Sequence, residues 1–186
     1  MSISTETARI YVACLASYNA GILHGRWIDC SSDASVMQSQ VNKILADSPI
    51  PNAEEWAIHD CEGFAHLDEY EDLEVIAERV GHWKNYGQEA VEAYEHWFGK
   101  FDAEDFEDRY EGSVEDHYED RKNFACDQFA VVMLSEHTEQ QRDTFWAFAN
   151  EERILRWCED WCVFVSSKAA RGGAHAEHCY IFRIDF

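Results

Sequence analysis

The sequence predicts an α+β protein built as a chain of three small units. Runs of β-branched and aromatic residues bounded by turn residues occur near both ends, which indicates strands there. In the middle, apolar residues recur at helical spacing, which indicates amphipathic helices. The 186 residues are 46% apolar, enough to bury a core. We place an αβ unit at residues 1–67, an acidic helical unit at 68–112, and helices plus a β hairpin at 113–186.

The first unit is predicted to have a β-β-α-β arrangement. Asn19 and Gly21 separate the stretches ARIYVACLA and ILHGRWID, a pattern typical of a hairpin. Ser32 or Asp33 can cap a helix that the sequence SPIP then ends. The residues expected to face the core from this helix are Val36, Val41, Ile44 and Leu45. The stretch EWAIHDCEGF predicts the third strand.

The middle unit is predicted to contain two amphipathic helices separated by Gly87. The first carries an apolar stripe, and its acidic residues mostly lie off that stripe. The stripe consists of Leu73, Ile76, Ala77, Val80 and Trp83. The second helix, over 88–98, should place Val91, Tyr94, Trp97 and Phe98 inward and Glu89, Glu92 and Glu95 outward.

The segment FDAEDFEDRYEGSVEDHYED, residues 101–120, contains ten carboxylates. Phe106 and Tyr110 lie one helical turn apart, so we expect aromatic rings on the inner face and carboxylates on the outer face. Gly112 should end this helix. The tetrapeptide SVED at 113–116 resembles a capping box that starts another helix.

The last unit is predicted to contain helices near 123–134, 138–149 and 151–160. Two strands should follow, in WCVFVSS and HCYIFRIDF. The Gly/Ala-rich stretch KAARGGAHAE between them predicts a hairpin connection.

Negative charge is concentrated in the middle of the chain. The formal net charge of −22 comes from 37 acidic residues against 15 Lys and Arg. Residues 1–53 carry four acids and three bases, residues 54–120 carry 23 and four, and residues 121–186 carry ten and eight. Direct binding to nucleic acid or to an anionic membrane needs a positive surface. The charge therefore argues against both and predicts a basic partner.

The chain is expected to be soluble, unexported and cytoplasmic. It has no run of about 18 apolar residues and no basic flank followed by an apolar run at its start. Its seven cysteines are an odd number without paired spacing, which favours reduced thiols.

We propose from the sequence that the acidic residues imitate the phosphates of DNA. Helical side chains three or four residues apart lie about 5–6 Å apart, and phosphates on one DNA strand advance about 3.4 Å per step while winding around the axis. We call the residues concerned the acidic set. It consists of Glu69, Glu71, Asp72, Glu74, Glu78, Glu89, Glu92, Glu95, Asp102, Glu104, Asp105, Glu107, Asp108, Glu111, Glu115, Asp116, Glu119 and Asp120.

Two other interpretations of the acidic set stay open. It could be an ordinary solvated face, or it could belong to an acidic binding module or chaperone for another basic DNA-binding protein. Competition by duplex DNA would distinguish a mimic from a chaperone. A calcium loop is disfavoured, because no window in 102–120 matches the EF-hand spacing.

A metal centre or an enzyme is also disfavoured. Cys158 and Cys162, with His175, His178 and Cys179, form a conceivable metal cluster. However, the two cysteines alternate with tryptophans, as small core residues beside large rings do.

His59 and Asp60 are adjacent on a predicted strand and should point to opposite faces. A carboxylate pair at the separation that glycoside hydrolysis requires is uninformative, because some pair among 37 acids will always fit. We therefore predict no catalytic residue, no cofactor and no metal.

Four stretches of the chain form a recognisable series: IYVACLASYNAGILHGRWID, AIHDCEGF, LDEYEDLEVIAE and the terminal CVFVSS…CYIFRIDF. In this order, and across nearly the whole chain, they resemble the ArdA-type antirestriction proteins. The resemblance implies an elongated three-part monomer that forms a homodimer through its C-terminal unit. It also implies a mimic of B-form DNA that blocks type I restriction-modification enzymes and so protects incoming mobile DNA. The acidic set then occupies the matching outward faces.

Overall fold

The computed structural model describes residues 8–64, 66–115, 118–166 and 178–184. Within these ranges the chain forms eight helices and six strands, and the strands form two three-stranded antiparallel sheets. The α+β prediction is confirmed. By contact, the chain divides into two compact units between Gln88 and Glu89. The predicted division at 67 and 112 stays a prediction.

The first unit contains three strands and three helices. They are β1 (Arg9–Cys14), α1 (Leu15–Asn19), β2 (Gly25–Asp29), α2 (Ala34–Ala46), β3 (Trp56–Glu62) and α3 (Leu73–Tyr86). The sheet has the order β2-β1-β3, so the first strand is the central one. The β-β-α-β prediction is confirmed, with the short helix α1 inserted in the hairpin connection.

The core of the first unit lies between one face of this sheet and the helices α2 and α3. Ile10 and Val12 of β1 are fully buried, and they share one cluster with residues of both helices. Val36 was predicted to face this core, but its side chain is 47% exposed. The buried stripe of α2 instead runs through Met37, Val41 and Ile44, and Val36 lies outside it.

The helix α3 is well delimited and holds the preceding loop. The Asp72 side chain accepts a hydrogen bond from the Glu74 amide (2.9 Å), which is the expected N-cap interaction. Gly87 follows the helix at φ +88°, a conformation that favours glycine. The guanidinium of Arg79, a buried residue, donates to the His66 carbonyl (3.1 Å) and lies over the Phe64 ring. The loop that leads to the acidic residues is thereby fixed to α3.

The elements that follow form the second unit. They are α4 (Gln88–Phe98), α5 (Ala103–Arg109), β4 (Tyr110–Glu115), α6 (Tyr118–Met133), α7 (Glu139–Trp146), α8 (Glu151–Glu159), β5 (Cys162–Ser166) and β6 (His178–Arg183). The sheet order is β4-β6-β5. The predicted strands β5 and β6 do pair, while the connection at 168–177 lies outside the described residues.

The prediction of a helix start at 113–116 was wrong. Residues 110–115 form β4, which pairs with β6 through Ser113↔Tyr180 and Val114↔Cys179. Gly112 was predicted to end the helix, but α5 already ends at Arg109. Gly112 lies inside β4, where it adopts φ +141° beside a register shift in this pairing, as at a β-bulge. A local capping pattern was overridden by pairing with a strand more than sixty residues away.

A cluster of aromatic rings forms the core next to α5. Tyr94 lies at its centre, with ring centroids of Phe98, Phe106 and Phe182 at 5.0–5.9 Å. Trp97 was predicted to face inward, but it is 55% exposed. In the last turn of α4 it is Phe98 that packs against Phe182.

A second cluster joins α6 and α8 to the sheet. Ala125, Ile154, Leu155 and Ile181 are buried in it together with two cysteines. None of the helices in the described ranges combines the length and apolar character needed to span a bilayer.

Candidate acidic interaction surface

Most of the acidic set lies at the surface, but its members differ in exposure. Ten side chains are exposed: Glu69, Asp72, Glu74, Glu78, Asp102, Glu104, Glu107, Asp108, Glu115 and Glu119. Seven are half-buried: Glu71, Glu89, Glu92, Glu95, Asp105, Glu111 and Asp120. Asp116 lies outside the described residues. That these residues form a mimic of DNA stays a prediction.

In the first unit, the acidic residues lie on α3 and on the loop before it. Glu74 and Glu78 are one helical turn apart and exposed, on the side of α3 opposite its buried residues. Asp72 is the N-cap. Glu69 lies 3.9 Å from the His59 ring nitrogen, and its carbonyl accepts from the Ile58 amide. Glu74 and Glu78 therefore face solvent, whereas Asp72 and Glu69 also stabilise the local fold.

The carboxylates of α4 are less exposed than the sequence predicted. Glu89, Glu92 and Glu95 are all half-buried. Glu89 accepts a hydrogen bond from the Tyr180 hydroxyl of β6 (3.2 Å). This side chain therefore helps to join α4 to the sheet.

The short helix α5 carries the densest group of exposed carboxylates. Glu104, Glu107 and Asp108, which we call the exposed α5 acids, lie within five consecutive residues and all face solvent. Asp102 caps the helix by accepting from the Asp105 amide (2.9 Å). On one helix, side chains at these spacings lie about 5–6 Å apart.

Asp105 differs from its neighbours because it faces the protein. Its Oδ2 accepts from the Tyr94 hydroxyl (2.6 Å) and from Arg109 Nε (2.7 Å). The Arg109 hydrogen bond, with that of Tyr94, holds the pKa of Asp105 below its usual range despite partial burial. Burial and the nearby carboxylate raise the pKa of Tyr94 well above that of a free tyrosine. Asp105 is thus a fixed anion inside a hydrogen-bond network.

Arginine and lysine side chains hold two further members of the acidic set. Arg183 Nε lies 2.6 Å from Glu111 Oε1. Lys122 Nζ lies 2.8 Å from Glu119 and 3.1 Å from Glu151. Hydrogen bonds to these two carboxylates raise the pKa of Lys122, so it stays protonated. These acids are partly neutralised within the chain.

Other members of the set keep their charge toward solvent. Glu74, Glu78, Glu104 and Asp108 make no side-chain ion pair within the described part of the chain. The first unit has 14 acidic and five basic residues, and the second has 23 and ten. Both units therefore carry a negative charge, and each presents exposed carboxylates on a helix.

The alternative sites have little support in the described residues. No three His, Cys, Asp or Glu side chains there are arranged to hold a metal ion, and His175 lies outside them. Cys158 and Cys162 are buried, and the hydrogen bond between them, together with burial, raises the pKa of Cys162. The same hydrogen bond lowers the pKa of Cys158. Both are buried core thiols.

His59 and Asp60 do not form a catalytic pair. His59 stacks edge-on against Tyr18. The Asp60 carboxylate accepts from the Cys61 amide (2.9 Å). Each side chain therefore has a different partner.

Sequence reasoning missed the arginines that organise the surface. Arg79 fixes the loop before α3, while Arg109 and Arg183 connect α5 with β6. The four-residue spacing of Asp105 and Arg109, which favours a helical ion pair, was the available signal for one of them.

The fold and the surface define an acidic α+β protein that presents fixed carboxylates rather than a catalytic centre in the residues described. A family model for the antirestriction protein ArdA matches residues 10–151, well over half of the chain. The chain therefore belongs to the ArdA family of antirestriction proteins, as the sequence resemblance predicted. No curated protein gives a significant match.

Proposed function

We propose that this antirestriction protein is a non-catalytic mimic of B-form DNA that occupies the DNA-binding groove of type I restriction-modification enzymes. The observation that carries the proposal is the set of exposed carboxylates held at helical spacing on α3 and α5. An enzyme that holds DNA through Lys and Arg contacts to phosphates can bind such an array without base contacts.

The carboxylate spacing is compatible with that of phosphates. Glu74 and Glu78 on α3 are four residues apart, as are Glu104 and Asp108 on α5. Such pairs lie about 5–6 Å apart, while phosphates along one strand advance about 3.4 Å per step and wind around the helix. The match concerns the charge density on each helix, so each carboxylate contributes modestly.

A rigid support favours this interaction. The Asp72 and Asp102 caps fix the starts of α3 and α5, and buried rings lie beneath α5. Binding an ordered array avoids the entropy cost of immobilising flexible side chains and loops. Attraction between opposite charges also accelerates association and weakens as salt concentration rises.

The proposed form is a homodimer that pairs through the C-terminal unit. Support comes from Val131, Val132 and Met133 at the end of α6, which are 68%, 55% and 50% exposed. Residues 121–186 carry ten acids and eight bases, so two copies would repel each other less there than through residues 54–120, which carry 23 acids and four bases. The proposed place of action is the cytoplasm, where restriction enzymes meet incoming mobile DNA.

The test compares two matched neutralised proteins as competitors of duplex DNA for a purified type I enzyme. The first carries Glu74→Gln, Glu78→Gln, Glu104→Gln and Asp108→Asn. The control removes the same charge from exposed acids elsewhere. Its substitutions are Glu136→Gln, Glu139→Gln, Asp143→Asn and Glu152→Gln.

The first variant should inhibit roughly fourfold to several-hundredfold less well, since four exposed ion pairs at about 0.2–1 kcal/mol each amount to about 0.8–4 kcal/mol and each 1.4 kcal/mol is tenfold. The control should stay close to the parent, and inhibition by the parent should weaken with salt. Equal inhibition by the first variant and the parent would refute the proposal. Inhibition that duplex DNA does not relieve would instead favour an acidic binding module acting at another basic surface.

A further inference from the structure

The helix that carries the exposed α5 acids is too short to be stable alone. It spans seven residues, Ala103–Arg109, and isolated helices shorter than about 12–15 residues are marginal in water. Its direction, and with it the position of Glu104, Glu107 and Asp108, must therefore be set by contacts with the rest of the unit.

Arg109 makes two of these contacts from the last turn of α5, to β6 and to α4, and a third within the helix to Asp105. Its Nε donates to Asp105 (2.7 Å), its Nη1 donates to the Arg183 carbonyl of β6 (3.0 Å), and its guanidinium lies 4.6 Å from the centre of the Phe98 ring. The side chain is only 17% exposed. A planar guanidinium can make such directed contacts at once, whereas an ammonium group acts as a point charge.

Arg183 completes the connection from the strand side. Its Nη2 donates to the Asp108 carbonyl, and its Nε pairs with Glu111 Oε1 at 2.6 Å. The carbonyls in the last turn of a helix have no partner within the helix, and a cation there also interacts favourably with the helix dipole. The two arginines therefore tie the end of α5 to β6 in both directions.

We propose that Arg109 is a positioning residue for inhibition: it holds the exposed α5 acids in place and does not contact the enzyme itself. The inference rests on the proposed function, because it assumes that these acids bind the enzyme. Arg109 would then favour binding to a basic enzyme groove although it is itself positively charged.

A positioning role and simple electrostatics predict opposite changes in affinity when the positive charge of Arg109 is removed. Replacing Arg109 by Gln makes the protein one charge more negative. If charge alone decided binding, the variant would bind a basic groove at least as tightly as the parent. If Arg109 positions α5, the variant binds more weakly despite its larger negative charge.

The experiment measures inhibition of a purified type I enzyme, with duplex DNA as competitor, over a range of salt concentrations. Three full-length variants are compared with the parent: Arg109→Lys, which conserves charge, Arg109→Gln, and Glu104→Gln with Asp108→Asn. Circular dichroism establishes the temperature range in which each is folded, and inhibition is measured below it. If Arg109→Gln does not fold, the Lys variant decides the result.

Both Arg109 variants should inhibit several-fold less well than the parent and show a shallower salt dependence, as the Glu104/Asp108 variant does. Combining Arg109→Lys with the Glu104/Asp108 changes should add little, because the same contacts are already lost. A loss of stability alone would not reduce the salt dependence.

Two results would overturn the inference while leaving the proposed function intact. One is parental or stronger inhibition by Arg109→Gln or, where that variant does not fold, parental inhibition by Arg109→Lys. The other is an additive effect of the combined variant. If the parent itself is not displaced by duplex DNA, the proposed function fails first, and the inference fails with it.

Discussion

Phe106→Ala should strongly destabilise the second unit. Phe106 is fully buried. Its ring centroid lies 5.3 Å from that of Tyr110, 5.5 Å from Tyr94, and 5.9 Å from both Phe101 and Phe182. The substitution removes one ring from contact with four others and leaves a cavity in the middle of them.

The expected cost is about 3–5 kcal/mol, the range for buried phenylalanine replaced by alanine. Domains are usually stable by only about 5–15 kcal/mol, so a large part of the stability of this unit would be lost. For a unit of about this size, each kcal/mol corresponds to roughly 4–8 °C in melting temperature. The melting transition of the second unit should therefore fall by at least about 12 °C.

The assay is thermal and urea unfolding followed by near-UV circular dichroism. Trp97→Ala is the matched control, since it removes a larger ring that is 55% exposed on the neighbouring helix α4. It should cost less than about 1 kcal/mol. A similar cost for the two variants, or a cost below 1 kcal/mol for Phe106→Ala, would refute the idea that the buried rings support α5.

Three further predictions concern pH, association and thiols. Because the folded pKa of Asp105 lies below the ordinary aspartate value of about 3.8, its contribution to stability is present above that pH and is lost as pH falls through the folded pKa. The difference in unfolding free energy between the parent and Asp105→Asn should thus be largest above about pH 5 and shrink below pH 4; a constant difference would contradict this. Val132→Glu should shift the protein from the proposed dimer to a monomer in light scattering, whereas Val36→Glu, an exposed change in the first unit, should not; equal behaviour would exclude this surface. In the native protein the buried thiols should react with Ellman's reagent only after unfolding, and rapid labelling of any of them would contradict the packing described. These thiols are Cys14, Cys158, Cys162 and Cys179.

Elements with strong local patterns were predictable from the sequence. The apolar stripe predicted α3 correctly, because its buried residues follow the helical period. The stretches ARIYVACLA and EWAIHDCEGF predicted β1 and β3 correctly. The strand β4 was not predictable in this way. Its sequence YEGSVE has a weak strand pattern, and its partner β6 lies far along the chain. Only the tertiary pairing decides between strand and helix there.

The acidic surface was predictable as a region but not residue by residue. Sequence reasoning treats carboxylates at outward positions alike. In the structure, Glu74 faces solvent, whereas Asp105 and Glu111 are held by arginines. This distinction depends on where Arg109 and Arg183 lie in three dimensions. The charge segregation therefore predicts which third of the chain carries the acidic surface, and the contacts show which of its acids face solvent.

The two sheets differ in when their central strand is synthesised. The middle strand of the first sheet, β1, leaves the ribosome before both of its neighbours, whereas β6, the middle strand of the second, follows both of its own. Domains generally fold as units while the chain is being made. The first unit can thus assemble on the nascent chain. The aromatic rings around α5 cannot complete their packing before Phe182 is synthesised, so they stay accessible to chaperones and proteases until β6 has emerged.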